Sequence, residues 1–239
     1  QIREDGESLL AASENGIFRY TLSSGEVSKY LSKANGLHNV NITAFDYNPN
    51  TKTGLVGYKD GSIDGITERG VTYVIDIPMN NGYTGSKKIN HISINGNLAA
   101  VSTDYGISIF KLDRKEFSET AFLPHPVKEA IIKDNKVYLI TNTGILSHNI
   151  DSSFAIASSW ETLRAGDFNN IVSDGNLFSF SSLDKVYYGD GNSFSEIAQT
   201  FSSVKDMNIS NGQIVVTDSK TKGGNAPSAI YVFNASGNL

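Results

Sequence analysis

The chain has 239 residues, enough for one large or two small domains and for a substantial core, and its repeats favour a single domain over residues 1–239. With 39% hydrophobic and 19% charged residues, 22 Gly and only 5 Pro it is too apolar for a disordered chain, and no apolar run approaches the roughly 18 to 20 residues of a membrane helix. A formal charge of -5, with no basic cluster beyond Lys87-Lys88, argues against nucleic acid as partner, and the lack of cysteine excludes disulfides, thiolate metal sites and cysteine nucleophiles.

In chain order, the first pattern is Ser8 to Ser13, a small apolar strand, followed by Glu14-Asn15-Gly16-Ile17-Phe18. The same order of strand, polar turn, Gly and strand returns at Leu55-Val56-Gly57-Tyr58 with Lys59-Asp60-Gly61-Ser62-Ile63. It returns again at Leu98 to Ser102 with Thr103-Asp104-Tyr105-Gly106-Ile107, and at Val137 to Ile140 with Thr141-Asn142-Thr143-Gly144-Ile145. A fifth copy, Leu177 to Phe180 followed by Ser181 to Val186, lacks the turn Gly, and a sixth, Ile214 to Thr217 and Ile230 to Phe233, carries a polar insertion between Ser219 and Ser228. A repeat of about forty residues is the period of a propeller blade. Gly at the turn supplies positive φ without steric cost, and Asn, Asp or Thr before it favours a tight hairpin.

In the second unit, Ile42 to Tyr47, Gly54 to Tyr58, Ser62 to Thr67 and Val71 to Ile77 read as four consecutive strands. Phe154 to Arg164 is the one segment open to a helical reading, and it reads equally well as an outer strand with a loop. The expected fold is all-β: a β-propeller of six to seven four-stranded antiparallel blades, incomplete at the ends, stacked radially so that neighbours cover each other's faces. The first unit shows no good innermost strand before Glu7, and Gly237-Asn238-Leu239 reads as a turn entering a further strand, so the chain is expected to be a mature or excised soluble piece of a longer protein.

Asn35-Gly36-Leu37-His38-Asn39-Val40-Asn41-Ile42, followed by Gly54 to Asp64 with Gly61-Ser62-Ile63 at its centre, resembles the regulator-propeller repeat. Lys87-Lys88-Ile89-Asn90-His91-Ile92, Ser102 to Ile107 and the acidic stretch Lys115 to Thr120 make it most similar to the N-terminal propeller family of PorZ-like accessory proteins of the Bacteroidetes type IX secretion system. The resemblance covers residues 1 to 165 and implies a cell-surface or periplasmic location in a Gram-negative bacterium. It also implies sortase-complex components as partners, in the attachment of cargo to surface lipopolysaccharide. The alternative is the periplasmic glycan-sensing propeller of a hybrid two-component regulator. That repeat carries Trp-x-Gly-Thr where this chain has Gly57-Tyr58-Lys59-Asp60 or Val101 to Asp104.

Nothing in the sequence composes a catalytic constellation or calls for a cofactor. His38, His91, His125 and His148 stand outside metal-ligand spacing, and Asp190-Gly191-Asn192 is better read as a hairpin turn than as a calcium loop. The carboxylate pairs Asp46 with Asp64 and Glu116 with Glu119 would serve acid/base chemistry only if they shared a cleft. Trp160 reads as blade packing, whereas Tyr105, in a hairpin turn, is expected to be hard to bury. In a meander, the turn between second and third strands shares one face with the connection between blades. That face collects Asn15, Lys59, Asp60, Asp104, Tyr105, Asn142, Thr143, Asp184 and Lys185 from the turns, with His38, Tyr83, His125 and Asp167 from the connections. It is the expected surface for envelope proteins or a surface glycan.

Overall fold

The computed structural model describes residues 1–219 and 228–239, so residues 220–227 of the expected insertion lie outside the described chain. Six antiparallel meanders follow one another. Blade 1 holds β1 (Ile2–Asp5), β2 (Ser8–Ser13), β3 (Gly16–Thr21) and β4 (Val27–Ser32), and blade 2 holds β5 (Ile42–Asn48), β6 (Thr53–Tyr58), β7 (Ile63–Thr67) and β8 (Gly70–Val74). After a helical turn, α1 (Asp76–Met79), blade 3 is built from β9 (Ile89–Asn95), β10 (Leu98–Thr103), β11 (Gly106–Lys111) and β12 (Glu116–Phe122). Blade 4 contains β13 (Glu129–Lys133), β14 (Lys136–Ile140), β15 (Gly144–Asn149) and β16 (Glu161–Ala165). Blade 5 contains β17 (Asn170–Ser173), β18 (Phe178–Ser181), β19 (Val186–Gly189) and β20 (Phe194–Glu196). Blade 6 has three strands among the described residues: β21 (Val204–Ser210), β22 (Gln213–Ser219) and β23 (Ser228–Phe233).

The first strand of each blade packs on the first strand of the next, from β1 through β5, β9, β13 and β17 to β21, which makes these the innermost strands of a β-propeller. Five apolar clusters fill the five interfaces between successive blades. Residues Ile107, Ile109 and Ala121 of blade 3, for example, meet Ile132, Val137 and Leu139 of blade 4. Burial on both faces explains the strand sequences. In β10, Leu-Ala-Ala-Val-Ser-Thr is almost wholly buried, because neighbours cover both sides of a middle blade. In β22 burial alternates, with Ile214, Val216 and Asp218 inward. No such cluster joins blade 6 to blade 1 among the described residues; Ile2 is 61% exposed on one and Ile230 70% on the other.

The structure corrects two local expectations, decides a third and extends a fourth. An innermost strand does precede Glu7: β1 pairs residue for residue with β2, from Ile2 opposite Ala11 to Asp5 opposite Ser8. The fourth strand of blade 2 ends at Val74, and Ile77 belongs to α1, because the residue before Pro78 and the chain beyond it leave the sheet. Phe154 to Arg164 follows the strand reading: a 3-10 turn at Ala157–Ser159 runs into β16. The repeated glycine has the expected positive φ at Gly61, Gly106 and Gly144, and it serves close approach as well. Gly16 has no positive φ, yet a Cβ there would lie 2.6 Å from the Leu31 carbonyl oxygen; at Gly106, with φ +141°, it would overlap the Ala121 carbonyl oxygen far inside van der Waals contact. The third strand backs directly onto the outer strand at that point, and only Gly leaves the space.

Candidate functional site

Backbone hydrogen bonds tie the second-to-third-strand turns of blades 1 to 5 to inter-blade connections, which places both on one face. Ile42 N–H donates to the Glu14 carbonyl beside Asn15, Lys59 N–H to Asn41, and Asp104 N–H to Lys88. Leu123 N–H donates to Tyr105, Gly166 N–H to Thr143, and Phe201 N–H to Asp184. Asn15, His38, Lys59, Asp60, Asn142, Asp184 and Lys185 are exposed there, while Tyr83, Asp104 and His125 are half-buried. Local contacts hold several of these side chains. Asn39 donates to Asp60 at 2.8 Å, Lys128 to Asp167 at 2.6 Å, and Lys185 reaches Glu196 at 3.0 Å. They form neighbouring patches along the face, one per blade junction, and not one catalytic cluster.

Tyr105 departs from expectation: it is only 5% exposed, although it sits in a turn. Its hydroxyl lies 3.1 Å from Ser108 Oγ, and burial pushes the phenol above its ordinary range, opposed by hydrogen bonding with Ser108 and Thr103. The reason is the connection of residues 75–88, the longest between any two blades, which folds over the turn and brings Tyr83 against it. Ring centroids of Tyr83 and Tyr105 are 5.5 Å apart, Tyr105 and Phe122 5.2 Å, and Tyr83 and Phe122 5.9 Å, within the range of favourable aromatic pairs. These rings, with Asp76, Ile77 and Lys87, line a cavity of about 200 Å³. Sequence reasoning named Tyr83 and Tyr105 but missed Asp76, Ile77, Lys87 and Phe122; the length of the connection was the available signal.

The remaining polar groups serve structure. Asp46 accepts from Arg3 and from the Ile94 N–H, whereas Asp64 is held by His38 and Tyr58, so these two carboxylates share no cleft. Glu116 pairs with Arg114 at 3.6 Å. Asp190 accepts from the N–H groups of Asn192 and Ser193, the hairpin reading of that segment. Trp160 packs in the blade 3–4 cluster and donates its indole N–H to Phe154. On the innermost strands, burial pushes the Glu129 carboxyl up to about 7 despite a hydrogen bond from Ile171 N–H, with Asp206 adding to the rise. Burial likewise pushes His91 down to about 4, and its Nδ1 has no hydrogen-bond partner among the described residues.

Six antiparallel meanders around inner strands, with turns and connections gathered on one face, define a β-propeller that presents a loop-built surface on successively packed blades. The sequence matches the type IX secretion system PorZ N-terminal beta-propeller domain over residues 9–161, and the chain belongs to that family. Among solved structures it is similar to PorZ of Porphyromonas gingivalis, described as an essential bacterial surface component of the type-IX secretion system. The identity is 17% and the TM-score 0.73, covering 95% of this chain and 32% of that one. The chain thus spans about a third of that protein's length. It is also similar to the computationally designed Ika8 protein, at 12% identity and TM-score 0.68, covering 99% of this chain and 71% of that one. No curated protein matches the sequence.

Proposed function

We propose that the chain is a non-catalytic docking propeller of the type IX secretion apparatus at the bacterial cell envelope, holding a partner protein on its loop face. The observation that carries this reading is the family match over blades 1 to 4, the same blades whose turns and connections build the most elaborate part of that face. Charge and burial support a scaffold. The buried ionic groups are spent on bracing: Asp5 is bound by Arg19 and Lys52 across blades 1 and 2, and Asp64 by His38 and Tyr58. What faces outward is polar with a few aromatics, the composition of a protein-recognition rim. Sortase-complex components are the partners this family assignment proposes, and cargo attachment to lipopolysaccharide is the process they would share.

The test is affinity capture from the envelope fraction of a type IX-secreting host, with the tagged wild-type protein beside a variant carrying Lys59→Glu and Asp60→Lys. Capture of outer-membrane secretion components by the wild type, reduced in the variant at unchanged thermal stability, supports the reading. Equal capture by both proteins, or none by either, overturns docking through this face.

A further inference from the structure

We propose that the outer edge of β12 accepts an extended peptide of a partner protein as a fifth strand of blade 3, with an aromatic side chain entering the Tyr83–Tyr105–Phe122 cavity and basic side chains on either side of it. The proposal deepens the docking reading and rests on it in taking a protein as the partner.

The edge comes first. β12 is the outermost strand of its sheet, paired only to β11, and at seven residues it is the longest outer strand among the described residues. Its outward N–H and C=O groups make no backbone hydrogen bond among the described residues, leaving a template for strand addition. The cavity lies on one side of that strand. A register shift between Ile109 and Phe110 turns Phe117, Thr120 and Phe122 to the same side, where all three line it. At about 200 Å³ it exceeds the roughly 150 Å³ cavity that takes up benzene, so a single ring fits. Its lip is apolar and uncovered at Phe122, which is 45% exposed.

Charge selects the neighbours of that ring. On the side of β12 away from the cavity, opposite Ile109, Glu119 has no ionic partner among the described residues. Side chains alternate across a strand, so residues flanking the aromatic one point toward the Glu119 side, where Lys or Arg is complementary.

The experiment is isothermal titration of the 239-residue protein with a blocked synthetic peptide of sequence Thr-Lys-Phe-Lys-Thr. Alongside it run the same peptide N-methylated on its backbone, one with Ala for Phe, and one with Glu for both Lys. Binding by the first, weakened about tenfold or more in each of the other three and in the protein variants Phe122→Ala and Glu119→Lys, is the expected result. Phe122 is exposed and Glu119 half-buried, and circular dichroism checks that both variants fold. Binding weaker than about 1 mM, or binding indifferent to N-methylation or to Phe122→Ala, overturns the proposal. Envelope capture that persists with Phe122→Ala overturns this site while leaving loop-face docking standing, whereas peptide binding without any envelope partner overturns the docking reading alone.

Discussion

His38 closes over Asp64: its ring Nδ1 lies 2.8 Å from the carboxylate Oδ1, and its own backbone N–H donates to Oδ2 at 2.8 Å. Tyr58 donates its hydroxyl to the same Oδ2 at 2.6 Å, and the carboxylate has no solvent exposure. Burial, with Asp64 beside it, pushes the Tyr58 phenol above its ordinary range, so it stays a donor. The His38 ring stacks on Tyr73 at 4.5 Å. One carboxylate therefore fixes the blade 1–2 connection to the third strand of blade 2. Asp64→Ala leaves the Tyr58 hydroxyl and the His38 N–H without their acceptor, and is expected to cost about 3 kcal/mol in urea unfolding. A loss below about 0.5 kcal/mol would show that the bracing is incidental.

Close approach at Gly106 predicts a graded response to alanine. Gly106→Ala adds a Cβ against the Ala121 carbonyl as well as a positive-φ penalty, and should lose well over 2 kcal/mol. At Gly96, φ is +59° and nothing lies within 4 Å of the added atom, so Gly96→Ala should cost only about 1 kcal/mol. Thermal melts of the two variants check the order, and equal losses would remove the close-approach explanation.

Glu129 makes stability depend on pH. Its folded pKa of about 7 lies above the ordinary 4.5, so the stability it contributes is complete below about pH 4.5 and is lost as pH rises through 7. Glu129→Gln should therefore stabilise the protein at pH 8, by something on the order of 2 kcal/mol, and be nearly neutral at pH 4.5. His91 acts in the opposite direction. Its folded pKa of about 4 lies below the ordinary 6.5, so its contribution is lost as pH falls through that interval. The difference in melting temperature between Glu129→Gln and wild type, followed from pH 4 to 8, isolates the first effect; a flat difference contradicts it.

The buried turn tyrosine separates packing from hydrogen bonding. Tyr105→Phe keeps the ring among Tyr83 and Phe122 and removes only the hydroxyl's hydrogen bonding with Ser108 and Thr103, for a loss of about 1 kcal/mol. Tyr105→Ala empties a buried aromatic site and should lose about 3 to 5 kcal/mol. Chemical denaturation of both variants measures the pair, and a Tyr105→Ala loss as small as that of Tyr105→Phe would mean that the ring bears no packing role.

Much of the fold was legible because its causes are local. The Gly at or just before the third strand of blades 1 to 4, the polar turn before it and the short apolar runs on both sides act between residues close in the chain. So β2 with β3, β10 with β11 and β14 with β15 fall where the repeat places them. The loop face was legible for the same reason: once a meander is granted, turn and connection must share a side. Less visible was β1, since Ile-Arg-Glu-Asp carries mixed polarity; Arg3 is engaged by Asp46 and Asp5 by Arg19 and Lys52, all partners far away in the chain.

The sequence by itself determined an all-β repeat, its blade period, its family resemblance and the side on which turns and connections meet. Tertiary structure decided which residues of that side are available. Tyr105 is buried and Phe122 half in solvent because residues 75–88 fold across blade 3, and blade packing sets Asp76 beside Phe122. Hydrophobic alternation reports which face of a strand is covered, but a cavity forms only where elements distant in the chain fail to fill the space between them, and no local pattern encodes that remainder.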